Sequence, residues 1–272
     1  MANNDSTTSN GMTTPEGNQV TQKITRKKLL FLFFWIAEED KAKNVFSESA
    51  HTRMKNIKRT NWFDESIHKI HCPPVHKFSE FQSITDYWVN QYGGKSQVSV
   101  KEIGIFSHAA PDGPIIYNDS INHPDRVPYL RRDGTYSYTQ LNLNGWSKLN
   151  FYWHSSNPRI TFFGCNTAHA TKSFALEISK RPNFKNVEVG GQQKSSFPSF
   201  YPDIRSTSFL RNADKTWFEG HTYMVSTDAD KGAQATLLWV NATPMKFYKN
   251  GSYLYEKTQN FFNPGNIPRL RR

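Results

Sequence analysis

The stretch Arg159-Ile-Thr-Phe-Phe-Gly-Cys-Asn-Thr-Ala168, RITFFGCNTA, runs from β-branched and aromatic residues straight into glycine and cysteine. An apolar run of this length, bounded by turn-forming residues, reads as a buried strand of a sheet covered on both faces. A second such run, VSVKEIGIF at 98–106, ends in Ser107-His108-Ala109-Ala110 and a turn at Pro111-Asp112-Gly113. A third, LLFLFFWI at 29–36, opens the apolar part of the chain. Between these runs, helical spacing predicts helices over 42–57, 78–92 (stopped by Gly93-Gly94), 138–151 and 171–179, with further short strands at 114–117 and 187–189. Such alternation of strand and helix predicts an α/β fold with a mostly parallel central sheet flanked by helices. From residue 222 onward the pattern turns to short strands, and Asn250-Gly251 between alternating runs is a strong signal for a tight C-terminal β-hairpin.

Residues 1–24 are too polar to offset the entropy of ordering and read as a flexible tail. The remainder reads as a single domain over 25–260 and a basic C-terminal tail over 261–272. With 36% hydrophobic and 14% aromatic residues, the 272-residue chain belongs with globular rather than disordered proteins. A net charge of +11 would attract nucleic acid, anionic lipid or an acidic partner. The basic residues are nevertheless spread in ones and twos, as at Lys58-Arg59 and Arg131-Arg132, which is the pattern of solvated surface rather than of a nucleic-acid-binding arm.

Two cysteines, Cys72 and Cys165, are too few for a disulfide framework and imply a reducing compartment, although one bridge between them stays open. Residues 27–37, KKLLFLFFWIA, imitate a secretory leader, but Glu38-Glu39-Asp40 follows, no small-residue cleavage site is present, and the run is far shorter than the ~20 residues of a membrane span. The expectation is a chain made in the cytoplasm, without a membrane span, that reaches any other compartment only through a dedicated machine.

In a parallel sheet the two apolar runs that end at His108 and Cys165 open on one edge, where the ligands of open α/β folds gather. An imidazole there can take the proton of a thiol or stabilise its thiolate. The predicted helix after Asn166-Thr167 would place its partial positive charge under the sulfur. The backbone N–H of Cys165 and one from the turn after His108 would form an oxyanion hole. Against this stands the plain alternative in which Cys165 fills a small gap and His108 is a polar turn residue.

IGIFSHAAPDG and ITFFGCNTA resemble the His and Cys motifs of the caspase–gingipain–clostripain superfamily of cysteine peptidases. The resemblance covers residues 29–200 in element order, and these two short motifs carry it. It implies a caspase-like α/β sandwich, Cys165 as nucleophile, His108 as its acid/base partner, Ala109 and Gly164 at the oxyanion and substrate site, and no metal or other cofactor. The family has glycine where Ala109 stands, and alanine is less free to take a positive φ. The substrate would be a protein or peptide, and the biological role that of a bacterial effector or toxin with a secretion-system or inhibitor partner. The competing expectation is a non-catalytic basic α/β module that binds a protein or nucleic acid.

Asp112 and Asp119 are candidates to orient His108, or else exposed turn carboxylates. His169 is a rival base. Gly190-Gly191-Gln192-Gln193 would border the same sheet edge, with Gln192 touching substrate, or would simply make a turn. His68, His71, Cys72 and His76 have the chemistry of a zinc site but form one crowded cluster beside Pro73-Pro74 instead of two clusters separated by a loop. A surface loop is the alternative reading.

Overall fold

The computed structural model describes residues 27–37, 42–116, 126–130, 136–199, 222–228, 240–259 and 261–262. The 1–24 tail, Asp119 and most of the C-terminal tail lie outside the described residues. In chain order the elements are β1 (Lys28–Ile36), α1 (Ala42–Lys58), β2 (His68–His71), β3 (Pro74–Val75), α2 (Ser79–Gln91) and β4 (Val98–Phe106). Two ribbons follow, β5 (Ala109–Ala110) with β6 (Gly113–Pro114) and β7 (Arg126–Leu130) with β8 (Tyr136–Leu141). Next come α3 (Leu143–Ser147), β9 (Arg159–Phe162), α4 (Phe174–Ser179), a 3-10 turn at Pro182–Phe184 and β10 (Glu188–Gln192). The chain continues through β11 (Ser195–Ser199), β12 (Tyr223–Thr227), β13 (Val240–Asn241), β14 (Met245–Lys249), β15 (Ser252–Lys257) and β16 (Phe261–Phe262).

The main sheet has the order β2-β1-β4-β9-β10-β14-β15, with β3 also beside β1. The strands from β2 to β10 are parallel, and β14 and β15 are antiparallel. β1 is apolar throughout because both of its faces are covered: Leu30, Leu32, Phe33 and Phe34 have no exposed surface. The chain leaves β1 toward β2 on one side and returns to β4 on the other. The order therefore reverses between β1 and β4, the switch point at which a crevice opens beyond the strand ends.

The two faces of this sheet differ. On one face Phe34 meets Phe81 of α2, Phe162 meets Trp146 of α3, and Phe162 and Trp146 both meet Phe174 of α4, with ring centroids 5.0–5.5 Å apart. On the other, α1 crosses β1 and β4, and the in-register residues Glu102, Arg159 and Glu188 form a charged row across β4, β9 and β10. Helices thus lie on both sides of a mostly parallel sheet.

Several sequence expectations shift. The helix expected over 138–151 is β8 plus the five-residue α3, because Asn142 is extended and its side chain accepts the Gly145 N–H at 2.8 Å, starting the helix only there. The helix expected over 171–179 begins at Phe174, capped by Ser173, whose hydroxyl accepts from Leu176 N at 3.1 Å. The loop reading of 68–76 gives way to β2 and β3, which extend the sheet beyond β1. The strand expected at 114–117 is the two-residue β6 with a bridge at Ile115, and Tyr117 lies outside the described residues. Asn250 and Gly251 take φ values of 51° and 78°, joining β14 to β15 in the tight turn that their pairing announces. No helix among the described residues is long and apolar enough to cross a membrane.

Candidate active site

β4 and β9 are hydrogen-bonded neighbours, with Ile105 opposite Phe162 and Phe163 N donating to Ile105 O at 2.9 Å. Ser107-His108 and Gly164-Cys165 consequently leave the sheet side by side. The contact between them is tight: a Cβ on Gly164 would lie 2.5 Å from the Ala109 Cβ and 2.7 Å from the Ser107 carbonyl oxygen. Only glycine fits before Cys165. Phe106 and Phe163, the last side chains before the two motifs, stack in parallel at 4.3 Å.

His108 is half-buried, with the ring of Phe46 from α1 set edge-on at 5.1 Å. Cys165 is also half-buried. Its sulfur accepts the Ser196 N–H at 3.2 Å and approaches the Ser196 carbonyl oxygen at 3.8 Å, so β11 lies over the thiol. Burial pushes the thiol pKa up, and the Ser196 amide pulls it back only in part. The resting group is a thiol, and any nucleophilic role requires a base to remove its proton. Neither Cys72 nor Cys165 is in a disulfide.

The expected helix dipole is absent from this site. Cys165 opens a turn with Asn166 at φ 58°, and α4 starts nine residues later. The turn is fixed instead by backbone and hydroxyl bonds. Ala168 N donates to Gln192 O at 2.7 Å, Asn166 N to Lys194 O at 2.9 Å, and the Thr167 hydroxyl bridges Phe162 O, Gly164 O and Gln192 N. Ala109 pairs with Pro114 in β5, and the non-glycine residues with positive φ among those described are Tyr152, Asn157, Asn166, Asn186 and Asn250. Alanine at position 109 therefore carries no backbone strain.

Three expected roles are corrected by placement. Gln192 is fully buried rather than substrate-facing: its side-chain amide exchanges bonds with Gln259 at 3.0 and 2.7 Å and donates to Met224 O at 3.1 Å. Asp112 ion-pairs with Lys172 in the loop beyond Cys165 instead of orienting His108. His169 sits in that same loop, bonded to Thr171 at 3.0 Å, and not on a helix shared with Cys165.

The four candidate zinc ligands are dispersed among other contacts. His68 accepts Asp64 N, His71 stacks on Trp88 at 3.3 Å and bonds the Tyr92 hydroxyl, and Cys72 lies beside the Met54 sulfur. No group of three or more His, Cys, Asp or Glu side chains among the described residues could hold a metal.

Sequence reasoning missed Ser196 and Ser107, whose hydroxyls are buried beside the two motifs without hydrogen-bond partners. Ser107 directly precedes His108 and could have been noticed, whereas nothing local marks Ser196, which arrives 31 residues after the cysteine. Comparison of the chain with family models, curated proteins and solved structures gives no significant match.

Proposed function

We propose that the protein is a cysteine peptidase in which His108 takes the proton of the Cys165 thiol and the thiolate attacks a peptide carbonyl carbon. The tetrahedral intermediate then expels the amine, which receives the proton from His108 and leaves a thioester on Cys165. Water activated by His108 releases the acid and restores the thiol. The observation that supports this reading is the pairing of two parallel strands whose ends carry His108 and Gly164-Cys165, packed so closely that the glycine admits no side chain. The substrate is a protein or peptide, and the motif resemblance favours a caspase-like enzyme.

The test is cleavage of a mixed peptide library by the whole chain and by Cys165→Ala and His108→Ala. Each variant should keep its fold and lose about 10³-fold or more in rate. Equal cleavage by wild type and Cys165→Ala would remove the thiol from the mechanism. A non-catalytic module remains the second reading, favoured by the burial that holds Cys165 protonated. It expects partner binding to survive Cys165→Ala unchanged.

A further inference from the structure

The charged face of the sheet contains a cavity of about 490 Å³, a size suited to a small organic ligand. Neither His108 nor Cys165 is among the described residues that line it. Its floor includes Glu102 and Arg159 of the charged row. Arg53 of α1 forks onto Glu102 at 2.9 and 3.0 Å, and Arg159 donates to Glu188 at 2.5 Å and to the Tyr255 hydroxyl at 3.2 Å. Tyr255 donates in turn to Glu188 at 2.6 Å, and burial together with this bond pushes its pKa up to about 12, so it stays a phenol.

Two guanidinium groups are thus offset by two carboxylates. Lys257, opposite Met245 in the hairpin, adds a third cation, and among the described residues it makes no hydrogen bond or ion pair. Partial desolvation and the neighbouring Arg53 and Arg159 push its pKa down, opposed by Glu102 and Glu188. Among the described residues, three positive groups stand against two negative ones, an excess of one.

The walls are apolar, made by the stacked Phe106 and Phe163 together with Met224, Met245 and Phe247. One polar atom is left over. Ser49 of α1, only 2% exposed, lines the cavity with a hydroxyl that has no hydrogen-bond partner. Buried hydroxyls without a partner are uncommon in folded proteins and mark places where a bound group supplies one.

We propose that this cavity binds a monocarboxylate with an apolar body. Its carboxylate meets Lys257 and the guanidinium donors left unused by Glu102 and Glu188, while its body lies between the Phe106–Phe163 pair and the two methionines. The lone surplus charge selects a monoanion over a polyanion, and the apolar walls exclude a bare inorganic ion. The site involves neither His108 nor Cys165, so the proposal stands or falls apart from the peptidase reading.

Calorimetric titration of the full chain bearing Cys165→Ala tests it, using decanoate and 2-naphthoate as aliphatic and aromatic probes against decanol, acetate and inorganic phosphate. Saturable one-to-one binding of either apolar carboxylate is expected, about tenfold or more weaker in Lys257→Met, whose position on the exposed hairpin leaves folding intact. Met224→Trp, which fills the cavity, should abolish binding, and each variant's melting curve without ligand reports whether it is folded. Decanol binding as tightly as decanoate, acetate or phosphate binding equally well, or unchanged affinity in a folded Lys257→Met would each overturn the proposal. So would the absence of saturable binding by both carboxylates.

Discussion

On one face of the sheet Trp146 is fully buried among Phe81, Phe162 and Phe174, whereas on the other Glu102, Arg159 and Glu188 stand in a row beneath a cavity. The aromatic face removes large apolar surfaces from water and, among the described residues, leaves the indole N–H of Trp146 and the Asn183 Oδ1 beside it without partners. The charged face desolvates five charged groups and recovers that cost only through geometry. Stability is therefore concentrated on one side and chemical capacity on the other, with β4 and β9 contributing alternate side chains to both.

Breaking the aromatic side should have the largest effect. Trp146→Ala should lower unfolding free energy by about 3–5 kcal/mol in urea titration, and a loss below about 1 kcal/mol would contradict the assignment of stability to this face. The charged side is expected to behave otherwise. Glu102→Leu alone should cost about 1–3 kcal/mol because it strands the Arg53 guanidinium, discounted because Arg53 is about one-third exposed. Combining it with Arg53→Met should restore most of that loss; a double variant as unstable as the single one would make the pair a true source of stability.

Where the two faces meet the strand ends, Gly164→Ala should cost about 1–3 kcal/mol, since the added methyl runs into the Ser107 carbonyl oxygen and the Ala109 Cβ. On the proposed peptidase mechanism it should also abolish peptide cleavage at full folding, which a library assay on the purified variant reads.

At neutral pH the smallest effect comes from the sheet edge. Burial beside Trp88 together with Lys58 and Lys69 pulls the His71 pKa from 6.5 down to about 4. The unfolded chain then binds the proton more readily than the native one, so this contribution is complete above pH 6.5 and is lost as pH falls toward 4. His71→Phe, which can keep the stack, should flatten that part of the stability–pH curve. An unchanged slope would place the acid sensitivity elsewhere.

The sheet was legible wherever a strand was long and apolar. The runs at 29–36, 98–106 and 159–163 announce β1, β4 and β9, and Asn250-Gly251 announces the hairpin. That the strand ends carrying His108 and Cys165 lie side by side could be read from sequence, because each ends such a run and parallel strands share an edge. β2 and β3 were hidden by their brevity, by Pro73 between them and by Pro74 opening β3, and α3 is too short for periodicity to separate from the strand before it, whereas α4 was expected with its start three residues early. The charged row could not be read at all. Glu102, Arg159 and Glu188 are remote in sequence and become one line of charge only through the register of three strands. Gln192 was misread for a related reason: its partners Met224 and Gln259 come from segments whose return to the sheet leaves no local mark.

That amide reaches further than its own pocket. The Gln192 carbonyl holds Ala168 in the turn that carries the thiol, its N–H is held by Thr167, and its side chain grips Gln259, 67 residues downstream. Neither end can drift without breaking bonds at the other. A cut, tag or fusion placed just before Gln259 would thus reach the sulfur through one glutamine, making the C-terminal end of the chain a remote handle on the cysteine loop.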